Sequence, residues 1–148
     1  MSTADRAREL AERLGVTFEK DIRDHEIDFY DAFSRSGHKF TPIHRDEMNF
    51  LPAAGDFTWE GQTLELKSIL VTDPEAKHLY RPIRDSVKKG TAQGVDRTKF
   101  MIDLRGQDLT DELREALETY NTLPQNQGAK VTRLFVFTQG EVIDIDLI

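Results

Sequence analysis

The sequence contains no cysteine among its 148 residues. A disulfide framework and a thiolate metal site are therefore both excluded. No stretch approaches the roughly 18 to 20 apolar residues that span a membrane. The opening MSTADRAREL lacks the apolar segment of a signal peptide. There is no GxGxxG, no Walker A sequence and no nucleophile elbow, so dinucleotide-binding, P-loop and α/β-hydrolase chemistry have no foothold. Internal repeats and low-complexity linkers are also missing. What is left, with 38% hydrophobic and 32% charged residues, is the composition of one soluble globular domain.

A net charge of −7 argues against a generic nucleic-acid binder, but the charge is unevenly spread. Residues 67–105 hold nine basic and five acidic side chains. Residues 1–66 hold eight and fourteen, and residues 106–148 three and eight. A basic island thus lies between acidic flanks. It reads either as chance segregation or as a phosphate-facing surface, with the flanks serving solubility or a partner.

Apolar spacing predicts a helix over 3–14, with Ser2 or Thr3 as cap and Gly15 as stop. A second helix is expected over 23–36, with Ile27, Tyr30 and Phe33 inward and Gly37 ending it. Glu26 lies at the end of that inward stripe, where a carboxylate needs a reason to be. Helix capping is one reason, a metal or substrate another. A short strand at 38–43, a loop through 50–52, and strands at 56–59 and 62–71 follow. Thr72-Asp73-Pro74-Glu75 reads as a helix start, with a kink or a fresh helix from Pro82 to about Gln93. Then come a strand at 99–104, a helix at 109–120, and strands from 131–138 and after the Gln139–Gly140 turn. The order ααβββ-α-β-α-ββ predicts an α/β or α+β fold, a mixed central sheet flanked by helices.

The hairpin carries the chemistry. If Glu60–Gly61 is a two-residue turn, Trp59 faces Gln62, Thr58 faces Thr63, Phe57 faces Leu64, and Asp56 faces Glu65. Alternation then puts Asp56, Glu65 and Lys67 on one face and Phe57, Trp59, Leu64 and Leu66 in a core. Directly opposed carboxylates have Cβ atoms about 4.5–5.5 Å apart and repel. A divalent cation offsets that repulsion, and an all-oxygen donor set suits Mg²⁺ or Mn²⁺, with Zn²⁺ as a further candidate. Asp56 and Glu65 would bind the metal, which activates a water, and Lys67 would orient it or stabilise charge on phosphorus. The plain alternative is an exposed hairpin with ordinary surface charges; a three-residue turn would break the pairing.

Asp56, followed after an eight-residue gap by Glu65-Leu66-Lys67, resembles the signature of the PD-(D/E)xK nuclease superfamily. The surrounding order adds to it: the Glu26 helix ending at Gly37, a strand, the hairpin, a helix ending in Ala92-Gln93-Gly94, and the strand Phe100 to Leu104. The arrangement is similar to the C-terminal tRNase toxin domains of contact-dependent growth inhibition proteins and to related domains in phage-like proteins. The likeness spans about residues 23–148 and leaves 1–22 as an N-terminal helical extension. It implies a restriction-endonuclease-like core, with Glu26 joining Asp56 and Glu65 at the metal and Glu26, Asp56, Glu65 and Lys67 forming the catalytic set. It also implies substrate contacts from the following helix, matched by Arg84, Lys88 and Gln93. One departure is Ala54-Gly55, where a proline often precedes the aspartate. The implied function is a metal-dependent RNase, acting on tRNA in interbacterial competition. Such a domain would be exported at the tail of a larger toxin, act in the target-cell cytoplasm and meet a cognate immunity protein; otherwise it is a cytoplasmic protein.

Arg81, Arg84 and Lys88 fall at i, i+3 and i+7, opposite Leu79, Ile83 and Val87, and with Lys89 this stripe suits a phosphate backbone. A solvated helix face is the simpler reading. Of the four histidines, none has a partner at metal spacing; His78, beside the basic helix, is the best general-base candidate. The Asp144–Asp146 pair fits strand alternation, and Trp59 fits core packing. Two other functions stay open: a DNA endonuclease on the same fold, and a non-catalytic binding module such as an immunity or phage structural domain.

Overall fold

The computed structural model describes residues 1–43 and 55–148. The loop expected at 50–52, together with His44 and Ala54, lies outside the described residues. Among the described residues, four helices and six strands form a mixed α+β fold. In chain order they are α1 (Thr3–Leu14), α2 (Asp24–Arg35), β1 (Thr41–Pro42), β2 (Phe57–Trp59), β3 (Gln62–Ser68), α3 (Ala76–Ala92), β4 (Lys99–Asp103), α4 (Asp111–Glu118), β5 (Arg133–Thr138) and β6 (Glu141–Asp144). The expected element order is therefore present. None of the described helices is long and apolar enough to cross a membrane.

The strands lie side by side in chain order. β3, β4 and β5 run parallel, because α3 and α4 are the crossovers between them; the outer pairs are antiparallel. The hairpin register is the expected one, Trp59 opposite Gln62, Thr58 opposite Thr63 and Phe57 opposite Leu64. Its turn residues Glu60 and Gly61 both have positive φ, 48° and 74°. That is the two-residue turn whose twist matches the strands, and glycine takes its second place without strain.

Alternation sends the two faces of the sheet into two cores. Leu64, Leu66, Met101, Phe135 and Phe137 pack against Ile27, Phe29, Tyr30 and Phe33 of α2. Phe100, Ile102, Leu134 and Val136 pack against Leu79, Ile83 and Val87 of α3 and Leu113 and Leu117 of α4. Trp59 is buried and meets Phe135 edge to face at 5.3 Å between ring centroids. Segment 1–22 joins the α2 side: Leu10 is buried in that core, and Arg6 pairs with Asp24 and Asp28.

Four local expectations are corrected. Pro82 does not start a fresh helix; α3 runs through it. The missing hydrogen bond costs about 3 kcal/mol. Leu79, Ile83 and Val87, almost fully buried, offset it at about 1.5–3 kcal/mol each. The helix also starts later than expected, after Glu75, with the Glu75 N–H donating to His78 Nδ1 at 2.9 Å. The strand expected over 38–43 shrinks to Thr41–Pro42, since His38 turns inward to stack on Phe33 at 4.6 Å. Helix α4 ends at Glu118, and the chain continues in short 3₁₀ turns around the buried Tyr120.

Candidate active site

Strand β3 presents Glu65 and Lys67 to the α3 side, opposite in sense to Leu64 and Leu66. Asp56 stands one residue before β2. It does not face Glu65 across a regular ladder as expected: the Asp56 N–H donates to the Leu64 carbonyl at 2.8 Å, and its side chain turns along β3. There Oδ2 accepts the Leu66 N–H at 2.7 Å. Gly55 permits this. A Cβ at Gly55 would lie 2.6 Å from Thr63 Cγ2 and 2.9 Å from the Leu64 carbonyl oxygen. The backbone therefore presses on β3, and the Asp56 and Glu65 carboxyls lie close enough for the charge of Asp56 to act on Glu65.

The two carboxyls line a cleft of about 380 Å³. Glu26, Tyr30, Arg23, Lys89 and Arg97 contribute to its walls. Glu65 is 7% exposed, accepts from Ser86 Oγ at 3.3 Å, and has Arg97 Nε 3.2 Å from Oε1. Burial, then the charge of Asp56, pushes Glu65 up to about 7. Burial likewise raises Asp56, against the pull of the Leu66 N–H and the charges of Lys67 and Arg97. Glu26 is raised by burial as well, with Asp56 adding to it. Three acids in one cleft thus each hold a proton more tightly than they would in water.

The predicted residues divide into groups. Glu26, Asp56 and Glu65 share the cleft. Glu26 also has the ordinary role, its Oε1 accepting the Arg23 N–H at 3.0 Å at the start of α2. Lys67 is half-buried on the same face and its charge acts on both Asp56 and Glu65, but it does not line the cleft. Lys89 is on the cleft wall. Arg81 and Arg84 instead line a separate groove with Tyr80 and Leu70, and Arg84 donates to Asn126 Oδ1 at 3.1 Å. Lys88 and Gln93 are exposed, Gln93 capping the end of α3. His78 is spent on the Glu75 cap, and neither His25 nor His38 lines the cleft.

The sequence alone does not single out two cleft residues, Tyr30 and Arg97, or the buried Ser86 that donates to Glu65. Tyr30 was assigned to the core, where it mostly is; its hydroxyl reaches the Asp56 carbonyl at 3.5 Å. Ser86 sits on the apolar face of α3, where a lone hydroxyl was a readable signal. The signal for Arg97 was Gly90, a glycine inside a helix, which needs a packing reason.

Among the described residues, no three His, Asp or Glu side chains close into a complete metal cage. The donor set nevertheless fits a hard divalent cation. It consists of carboxylate oxygens whose mutual repulsion and burial are relieved by positive charge, which suits Mg²⁺ or Mn²⁺ best. The chain matches no family model, and no curated protein or solved structure is significantly similar to it.

Proposed function

We propose that the chain is a metal-dependent nuclease that hydrolyses phosphodiester bonds through Asp56, Glu65 and Lys67, with Glu26 as a third acidic wall. The observation that carries this reading is the Asp56–Glu65 pair, Glu65 buried and Asp56 half-buried, both lining one open cleft. Proteins do not bury two adjacent carboxyls without compensation. A structural pair of this kind would be expected away from solvent, not lining an open cleft beside Arg23, Lys89 and Arg97.

Asp56 and Glu65 would hold the cation and Glu26 would complete its acidic surroundings. When bound, a divalent ion supplies Lewis-acid activation of the attacking water and neutralises charge on the phosphate. Lys67 contributes a fixed positive charge beside the two acids, suited to the extra negative charge of a pentavalent phosphorus. Lys89 and Arg23 in the cleft lining are cations that a phosphate could meet, set among Glu19, Asp21 and Glu26. The Leu66 N–H keeps the Asp56 carboxyl oriented.

The likeness to contact-dependent growth inhibition toxins supports RNA as substrate, tRNA first, and a cognate immunity protein as partner. It would also account for export within a larger toxin. The test is digestion of total RNA, purified tRNA and plasmid DNA by the pure protein, with Mg²⁺ or Mn²⁺ and with EDTA. Metal-dependent loss of RNA is expected; loss of DNA alone would point to an endonuclease of the restriction or repair type. If Asp56→Ala and Lys67→Ala both cleave like wild type, the site assignment fails. No cleavage of either polymer, with no Mg²⁺ binding by calorimetry, would favour a binding module instead.

A further inference from the structure

Arg97 belongs to no element of the predicted site. It lies in the connection between α3 and β4, seven residues beyond Gly90. Its side chain is only 10% exposed, and it lines the cleft with Nε 3.2 Å from Glu65 Oε1. To get there it crosses α3 at Gly90. A Cβ on Gly90 would stand 2.9 Å from Arg97 Cγ, 3.0 Å from its Cβ and 3.0 Å from its Cδ. All three are atoms of the stem and not of the side chain's far end. Glycine inside a helix costs about 1 kcal/mol relative to alanine. The chain tolerates that cost at one position of α3, under the path of this arginine.

We propose that Arg97 is a phosphate-binding catalytic residue, held in the cleft by the Gly90 notch so that its guanidinium meets the substrate phosphate beside Glu65. The proposal rests on the nuclease reading of the same cleft. A planar guanidinium carries five donors in a fork that matches two oxygens of a phosphate. A salt bridge made only to stabilise Glu65 would gain nothing from facing a cleft. Here the same contact places a delocalised cation beside Glu65 in a cleft that Lys89 also lines. In the metal-free protein Arg97 offsets the Glu65 charge. With cation and substrate in place, the same group faces the non-bridging phosphate oxygens, where negative charge grows as the phosphorus becomes pentavalent. Lysine would keep the charge and lose the fork.

The test uses the full chain with Arg97→Gln, Arg97→Lys and Gly90→Ala, each first checked for folding by circular dichroism and thermal melting. Three quantities are read: Mn²⁺ affinity by calorimetry, affinity for inorganic phosphate and for a non-hydrolysable phosphorothioate RNA with Ca²⁺, and kcat on the cleaved polymer. Arg97→Gln is expected to bind Mn²⁺ at least as tightly as wild type, since a competing cation has left Glu65. It should lose phosphate and RNA affinity about 10-fold or more and kcat about 100-fold. Arg97→Lys, which keeps the Glu65 partner and so guards against a misfolded Arg97→Gln, should recover the fold but not kcat. Gly90→Ala should fall between, because Arg97 is displaced but present. Wild-type kcat and RNA affinity in Arg97→Gln, or full kcat in Arg97→Lys, would overturn the proposal. If wild type cuts neither RNA nor DNA, the nuclease reading fails separately. Arg97 is then judged by phosphate alone: binding by wild type and not by Arg97→Gln upholds it, and equal binding or none overturns it.

Discussion

The backbone N–H of Leu66 donates to Asp56 Oδ2 at 2.7 Å, so the side chain of one strand's leading residue takes a donor of the next strand. This bond holds Asp56 where its carboxyl meets Glu65. Asparagine can accept the same bond and alanine cannot. Asp56→Asn should therefore keep wild-type stability, or gain some, while losing metal affinity and cleavage by about 100-fold or more. Asp56→Ala should lose both activity and about 1.5–3 kcal/mol of stability. Urea unfolding alongside the digestion assay separates the two effects.

The metal-free protein should lose stability as pH rises through the Asp56–Glu65 transition. Both carboxyls are raised in the folded state by burial, Glu65 to about 7 from an ordinary value of 4.5. A group that holds its proton more tightly when folded stabilises the fold fully below its unfolded value. That contribution fades as pH climbs through the folded one. Thermal melts in EDTA should thus show a decline between about pH 4.5 and 7 assignable to this pair. Glu65→Gln, which cannot ionise, should flatten that part of the profile. An unchanged profile in Glu65→Gln would sink the idea.

Divalent cations should act most strongly where those protons have gone. If Asp56 and Glu65 hold Mg²⁺ or Mn²⁺, the ion competes with the protons that burial favours there, so affinity should rise from pH 5 to pH 8. Binding near neutral pH should release protons, measurable by calorimetry in buffers of different ionisation enthalpy. At a cation concentration 100 times Kd, the protein should gain about 2.7 kcal/mol of stability, reversed by EDTA and absent in Glu65→Gln.

Gly55→Ala should damage the site through the backbone. The new Cβ would sit 2.6 Å from Thr63 Cγ2 and 2.9 Å from the Leu64 carbonyl oxygen. One of these is backbone and cannot yield, so β2 must move off β3. A cost of about 1–3 kcal/mol is expected, with metal affinity falling alongside because Asp56 moves too. Wild-type Tm and Mn²⁺ affinity in this variant would contradict the close packing.

Lys88 and Lys89 are exposed on α3, so replacing them with alanine should leave Tm nearly unchanged. If they meet substrate phosphates, each loss should lower the slope of log Kd against log salt by about one. Lys89, on the cleft wall, should also reduce kcat; Lys88 should not. Filter binding with uncleaved RNA across a salt series checks this.

Much of this arrangement was written into local sequence. Alternation and the Glu60–Gly61 turn are short-range signals, and they placed Asp56, Glu65 and Lys67 on one face with Phe57, Leu64 and Leu66 on the other. Helix periods placed Glu26 at the inward edge of α2 and the basic residues along α3. The choice between one helix through Pro82 and a fresh start was not legible, because it depends on how deeply Leu79, Ile83 and Val87 are buried by strands elsewhere in the chain.

What sequence alone determined is the order of elements, the hairpin register and the residue types offered to one sheet face, since each follows from neighbours within a few positions. Tertiary structure decided the rest. It broke the ladder at Asp56, drew Glu26 from another helix into the same cleft, and passed Arg97 over Gly90 to reach Glu65. Those contacts join residues 7 to 39 positions apart. They arise only when two cores have packed against opposite faces of one sheet, and no local period records them.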